Sequence, residues 1–416
     1  MAKVGGALVV ASAPGALGVV GGLPLVVRAV LTLRAADIAD VAVFAGPQDR
    51  RVAALLAGRC PGVPCFRSVE EAAALPWPDS VLVVPGDVLF DGATLAPLTA
   101  AATPGAFRVG HGPAASGVEV AAICPGGAVP ALLAEVIRTP GLRADALRRV
   151  GAALDASVPL AEGLFISADR SHSPAALETA LLDHLARRTT TKDSYLAALI
   201  DRRLSRPVTR LLLRSTITPS RITLASILLG LVGAAGLATV SYAGRVGGVL
   251  ALIASIVLDC VDGEVARARW EQSPAGARLD VLGDYVVHLA VFVGLGVGLF
   301  RQGLAPAGVW AAVALVTGVA ASMVTMHALF VRPALTHGGD LHWEGDGESL
   351  SGTPVATVVE KLASRDYTYV LLVFALLGRL EWFLYAAAGG AWAFVAGVLG
   401  YWGYQRLPPR RPAVSP

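Results

Sequence analysis

Hydrophobic and polar positions follow two different rules along this chain. Over roughly the first 190 residues, short apolar runs at 7–11, 40–44 and 80–84 alternate with helical patterns at 25–38 and 49–59, and the third run leads into Pro85-Gly86-Asp87. Apolar strands spaced by helices predict a Rossmann-like α/β domain whose parallel sheet is covered on both faces. From Ile222 onward, nearly charge-free runs near 222–241, 246–265, 281–300, 306–330, 364–378 and 382–404 take over. Each, the fifth only marginally, is long enough for a ~30 Å hydrocarbon layer, so an all-α membrane domain of six transmembrane helices is expected.

Composition supports the division. Of 416 residues, 55% are apolar and 16% charged, against about 25% charged in ordinary soluble domains. The 46 glycines and 26 prolines show no period, which excludes collagen-like and low-complexity classes. A formal net charge of +3 offers no footprint for nucleic acid. Cys60, Cys65, Cys124 and Cys260 lack zinc spacing and read as reduced and structural. The opening stretch, Lys3 followed by apolar residues ending in Ala11-Ser12-Ala13, has the features of a secretory signal. The α/β rhythm that follows favours a buried strand instead, and with it a cytoplasmic N-terminal domain.

Basic residues supply an orientation. With the N-terminus inside, the inner flanks collect Lys192, Arg202, Arg203, Arg206, Arg210, Arg214 and Arg221, then Arg267, Arg269 and Arg278, then Arg332, Lys361 and Arg365, then Arg406, Arg410 and Arg411. The outer turns hold Arg245, Arg301 and Arg379. This asymmetry predicts a multi-pass protein of the cell (plasma) membrane with its N-terminus and active site cytoplasmic. Between the two regions, Leu196, Ile200, Leu204, Val208 and Leu212 recur every four residues among arginines, the pattern of an interfacial helix that Pro207 should kink. The expected organisation is an α/β domain over 1–188, an interfacial helix and linker over 189–221, a membrane domain over 222–405 and a cytoplasmic tail over 406–416.

Candidate chemistry is concentrated between residues 258 and 288. Asp259, Asp262, Asp280 and Asp284 stand at the ends of two apolar runs. One acid at mid-membrane costs about 2.5–3.5 kcal/mol, and four together repel one another. Spacings of three and four put each pair on one helix face. Carboxylates with no His or Cys nearby suit Mg²⁺ or Mn²⁺ rather than zinc. Counted from Val246 at ~1.5 Å per residue, Asp259 lies ~20 Å from the outer end, just under the cytoplasmic surface. Gly263, Ala266 and Gly276 remove bulk where the acids converge, so a phosphate-bearing ligand can approach the backbone, and Arg267 can pair with a phosphate. The structural alternative is close helix packing with salt bridges from the acids to Arg267, Arg269 and Arg278. The functional alternative is a cation-coupled carrier, which calls for acids near the bilayer centre and repeated halves; neither is visible.

The pattern D-x2-D-G-x2-A-R-x8-G-x3-D-x3-D resembles that of the CDP-alcohol phosphotransferases (CDP-alcohol phosphatidyltransferases), with every fixed position met by Asp259, Asp262, Gly263, Ala266, Arg267, Gly276, Asp280 and Asp284. The lead-in Thr218-Pro219-Ser220-Arg221-Ile222-Thr223 is similar to the family's T-P-N-x-[IV]-T, with Ser220 as the expected helix cap where Asn is usual. The resemblance implies six transmembrane helices, commonly a homodimer, and transfer of a phospho-alcohol group from a CDP-linked donor to an acceptor hydroxyl with release of CMP. It implies Asp259, Asp262 and Asp280 as ligands to two Mg²⁺ or Mn²⁺ ions, and Asp284 as a ligand to the second ion or as the base for the acceptor proton. Gly263, Ala266, Arg267 and Gly276 would surround the CDP group. The donor is a CDP-polyol such as CDP-inositol or else CDP-diacylglycerol, and the acceptor an alcohol or polyol phosphate. Arg221, Arg332 and Arg365 are candidates for an acceptor phosphate, and His288, one turn past Asp284, for a contact to the site.

The first region resembles the sugar-phosphate nucleotidyltransferases. The order of the whole chain resembles bifunctional inositol-phosphate cytidylyltransferase and di-myo-inositol phosphate phosphate synthases, which would make the CDP-alcohol from CTP. Those transferases open with L-x-A-G-x-G-x-R and Pro-Lys, whose cations hold the triphosphate. Here no Lys or Arg occurs between Lys3 and Arg28. Asp87 matches the family's metal-binding acid and Asp169 its second acid, with Ser167 where a further Asp is usual. Charge on a triphosphate would go uncompensated. A degenerate domain, structural or ligand-sensing, is therefore expected rather than an active cytidylyltransferase.

Overall fold

The computed structural model describes residues 4–103, 105–111, 120–138, 149–150, 157–168, 172–190, 200–331 and 367–405. The chain forms two compact units, Met1–Arg187 with Ala268–Trp270, and Arg188–Arg267 with Glu271–Pro416.

The first unit runs β1 (Gly6–Val10), β2 (Val19–Val20), β3 (Leu23–Pro24), α1 (Leu25–Ala35), β4 (Val41–Phe44), α2 (Asp49–Arg59), β5 (Cys65–Phe66), α3 (Val69–Ala73), β6 (Val81–Pro85), β7 (Val88–Phe90), α4 (Gly92–Ala100), β8 (Arg108–His111), β9 (Val120–Cys124), α5 (Val129–Arg138), β10 (Ser157–Pro159), β11 (Phe165–Ser167) and α6 (Pro174–Thr190). Seven strands form one sheet in the order β10-β8-β9-β6-β1-β4-β5. All of β1 is buried because its alternate residues serve opposite faces. Ala7 and Val9 join Val26 and Val30 of α1, while Leu8 and Val10 join Leu132 and Leu133 of α5.

The sheet is mixed, which corrects the all-parallel expectation. β1 pairs in parallel with β4 and β6, whereas β9 is antiparallel to both β6 and β8. Only residues 112–119 separate β8 from β9. That is short of the dozen or so residues a parallel crossover needs. The chain reverses direction across the sheet at β1, so the crevice beyond the ends of β1 and β6 is where such a sheet would bind a ligand.

At the head of α4, Asp91 accepts from the Thr94 N–H (2.7 Å) and lies 2.7 Å from Nε2 of His184 on α6. Burial alone would raise its pKa. The His184 contact and the Thr94 bonds outweigh burial and hold the carboxyl down at about 2. A group depressed in the folded state stabilises above its unfolded pKa and loses that contribution as pH falls through the folded value. Asp91→Asn should therefore cost about 1–2 kcal/mol at neutral pH, and the difference should vanish as pH drops from near 4 to near 2. Hydrogen exchange over residues 92–100 of the full chain reads this; a penalty unchanged down to pH 2 would contradict it.

The second unit contains α7 (Arg202–Leu213), α8 (Pro219–Leu237), α9 (Tyr242–Arg269), α10 (Pro274–Arg301), α11 (Pro306–Met326, continued by a π turn to Val331), α12 (Tyr367–Leu376) and α13 (Leu380–Gln405). Among the described residues five helices are long and apolar enough to cross a membrane, and α12 is a shorter apolar helix of 10 residues. α9 and α10 run past their apolar stretches, so the acidic motif sits on regular helix. α8 and α10 touch along their backbones: a Cβ added at Gly294 or Gly298 would overlap the carbonyl oxygens of Ala234 and Leu237. Leu237, Leu252, Leu295 and Leu384 lie at the centre of this unit.

One local expectation is corrected. Ser220 is not the cap of α8: Thr218 holds the cap position with Pro219 in the first turn, where its missing N–H costs nothing. α7 spans Pro207, its side buried in the unit carries Ser205, Thr209 and Leu213, and Leu204 of the expected apolar stripe is 48% exposed.

Candidate active site

The site is assembled from the last turns of α9 and the first turns of α10. Ser273 caps α10, accepting from the Gly276 N–H at 3.0 Å. From there, helical periodicity points Asp280 and Asp284 to one side. Asp259 of α9 meets them, and one carboxylate oxygen from each of the three lies within 4.8 Å of the other two. All three are half-buried. Asp262, although one turn from Asp259, is 6% exposed and takes a hydrogen bond from the Thr223 hydroxyl of α8. The geometry thus gathers three of the four motif acids, with the fourth anchored to the neighbouring helix. Three convergent carboxylate oxygens without nitrogen or sulfur form a donor set suited to a hard divalent cation.

A narrow pocket of ≈ 20 Å³ opens beside the acids, and Asp259 and Asp284 form part of its wall. Its polar lining comes from Ser226, Ser255, His288, Tyr367 and Thr368, set among Ile227, Leu252, Ile256 and Val287. Nδ1 of His288 is 3.1 Å from the Asp284 carbonyl, and its ring packs against Tyr367 at 5.4 Å between centroids. The neutral tautomer that donates from Nδ1 to that carbonyl leaves Nε2 as an acceptor.

The small residues of the motif have distinct surroundings. The guanidinium of Arg267 lies over Gly263, its nitrogens 3.1 and 3.2 Å from where a Cβ would stand. Gly276 faces the hydroxyls of Ser273 and Ser220. Ala266 is half-buried on α9, and Arg221 is exposed in the first turn of α8. Arg332, Arg365 and Asp169 lie outside the described residues.

In the first unit, Asp87 is 6% exposed just beyond β6. Gly15 packs onto it: a Cβ there would stand 3.0 Å from the Asp87 Cβ and 2.9 Å from the Ala168 carbonyl oxygen. Ser12 and Ser167 have buried hydroxyls without a hydrogen-bond partner among the described residues. Gly21 and Gly22, at φ +58° and +78°, make the two-residue turn joining β2 to β3. Arg28 is 4% exposed and donates to the carbonyls of Val20 (2.7 Å) and Gly21 (3.4 Å). Burial draws its pKa down to about 10, which leaves it cationic at neutral pH. The first cation after the loop is thus bonded to the loop's own backbone.

Several participants were not singled out from the sequence: Thr223, the hydroxyls of Ser226, Ser255 and Thr368, Tyr367, and Glu264. Thr223 belongs to the lead-in motif, and Glu264 occupies a variable position inside the acidic one. An acid on a membrane helix was the signal that could have found Glu264.

Residues 216–399 match the family model for CDP-alcohol phosphatidyltransferases. The chain is similar to a bifunctional IPC transferase and DIPP synthase of Rubrobacter xylanophilus, 40% identical over 97 residues. That match covers 23% of this chain and 22% of the relative's length. Among solved structures, Mycobacterium tuberculosis phosphatidylinositol phosphate synthase (PgsA1) with CDP-DAG bound overlaps 48% of this chain and 92% of its own, at 22% identity and TM-score 0.33. The 4-diphosphocytidyl-2C-methyl-D-erythritol synthase of Anaerococcus prevotii overlaps 43% of this chain and 96% of its own, at 11% identity and TM-score 0.32.

Proposed function

We propose that this chain, whose residues 216–399 match the CDP-alcohol phosphatidyltransferase family model, is an integral-membrane phosphotransferase that moves a phospho-alcohol group from a CDP-linked donor to an acceptor hydroxyl, releasing CMP. The observation that carries this reading is the convergence of Asp259, Asp280 and Asp284 beside a hydroxyl-lined pocket. Divalent-metal dependence is a property of the family. Asp259, Asp280 and Asp284 would hold a pair of Mg²⁺ or Mn²⁺ ions, with Asp262 bracing the site against α8. Such ions, when bound, offset the charge of the diphosphate and of the departing CMP.

The chain's own groups then divide the remaining work. Gly263 and Gly276 leave backbone bare for the nucleotide, and Arg267, held over Gly263, is placed to pair with a phosphate. Asp284, on the pocket wall, takes the acceptor's proton. The donor is read as a CDP-polyol such as CDP-inositol, a choice in keeping with the hydroxyls of Ser226, Ser255 and Thr368 beside the acids. The name of the Rubrobacter relative is in keeping with this choice. The first unit is read as degenerate, because its loop presents no cation and Arg28 is engaged by backbone carbonyls. Six membrane crossings with a cytoplasmic N-terminus, and a homodimer, belong to the same reading.

Purified full-length protein in nanodiscs, supplied with Mg²⁺ and labelled CDP-inositol or CDP-diacylglycerol plus candidate acceptors, provides the test. The expected result is CMP from CDP-inositol and no consumption of CTP. CMP from CDP-diacylglycerol alone would overturn the donor, CTP turnover would overturn the degenerate domain, and no CMP from either donor would overturn the activity.

A further inference from the structure

Glu264 lies outside the acidic quartet, yet it is among the least exposed charges of the second unit, at 5%. A buried carboxylate persists only when its oxygens are paired. Oε1 accepts from Arg202 Nη1 and from Ser205 Oγ, each at 2.9 Å, and Oε2 accepts from Thr209 Oγ1. Ser205 and Thr209 are fully buried. Arg202, Ser205 and Thr209 stand at i, i+3 and i+7, one face of α7 over two turns. These three polar residues of α7 therefore end on one side chain of α9. At the head of α7, Asp201 is 2% exposed and accepts from the Tyr369 hydroxyl of α12. α7 is thus fastened to two helices that both wall the pocket: α9 contributes Asp259, and α12 contributes Tyr367 and Thr368.

We infer that Glu264 is a positioning residue of the transfer site, docking α7 as a strut between α9 and α12 so that Arg267 and the pocket wall keep their places. Glu264 follows Gly263 directly and precedes Arg267 by three residues, so movement of the last turn of α9 reaches the residues that face the donor. The inference rests on the proposed phosphotransferase reading for its effect on turnover, and on the hydrogen bonds alone for the docking of α7.

The test uses full-length protein in nanodiscs with three readouts: hydrogen exchange over residues 203–213, KM and kcat for the CDP-linked donor, and Mn²⁺ affinity by electron paramagnetic resonance. Glu264→Ala should speed α7 exchange by ~100-fold, and raise KM ~10-fold while kcat stays within ~3-fold. Mn²⁺ affinity should be unchanged. Glu264→Gln, whose single carbonyl oxygen can still accept from Ser205 while its amide NH2 donates to the Thr209 hydroxyl, should recover most of both losses. If Glu264→Ala does not fold, the Ser205→Ala/Thr209→Val pair carries the same expectations. Unchanged α7 exchange would overturn the docking. Faster exchange with an unchanged KM would overturn the positioning role. A fall in Mn²⁺ affinity matching that of Asp259→Asn would make Glu264 a ligand instead. A wild-type protein that releases no CMP sinks the enzymatic reading and the positioning role with it, while the docking of α7 still stands or falls on exchange.

Discussion

Asp284→Asn is expected to lower CMP release by ~10³-fold or more while donor affinity stays within a few-fold of wild type. The substitution is nearly isosteric, so the helix and its neighbours keep their places. What is lost is a carboxylate that faces both Asp259 and Asp280 and the pocket. An amide cannot accept the acceptor's proton and is a poor ligand for a hard cation, so both roles open to Asp284 fail together. Single-turnover CMP release combined with equilibrium binding of the CDP donor separates chemistry from affinity. Turnover close to wild type would remove Asp284 from the reaction, and equal losses in binding and rate would make it a donor contact.

The second large effect concerns assembly of the scaffold. Gly298→Ala should destabilise the membrane unit by about 3 kcal/mol or more, because the added methyl meets the Leu237 carbonyl, which belongs to the backbone of α8 and cannot rotate away. Gly397→Ala supplies the comparison: nothing lies within 4 Å of a Cβ there, and helix propensity alone makes the change neutral or mildly favourable. Thermal unfolding of both variants in one detergent measures the difference. Equal midpoints would mean that α8 and α10 are not held backbone to backbone. The consequence for function is direct, since α8 carries Thr223, the partner of Asp262, and α10 carries Asp280 and Asp284.

Much of this architecture is legible from residue order because its signals are local. Apolar runs mark strands and helices whatever surrounds them, and the acidic motif announces itself because carboxylates beside apolar runs need a reason to be there. Other features depend on what lies across from a residue. Spacing put Asp259 and Asp262 on one face, but Thr223 from α8 engages Asp262. The arginine-flanked segment reads as an interfacial helix with an apolar stripe. In the fold the face it turns to the neighbouring helix carries Ser205 and Thr209, which with Arg202 bond to Glu264 of α9, a pairing no local pattern shows. The mixed sheet likewise depends on the short distance between β8 and β9, a segment with little strand signal of its own.

By itself, the sequence determined that the protein has an α/β part and a membrane part, which residues hold the acids, and that those acids have the donor chemistry of a hard-cation site. Each of these follows from the period of apolar positions and the cost of charge near lipid. Only the tertiary structure decided which three carboxylates meet, that the pocket beside them is lined with hydroxyls, and that a fifth acid fastens α7 to the pocket's walls. Such pairings join residues far apart in the chain, and no local period encodes them.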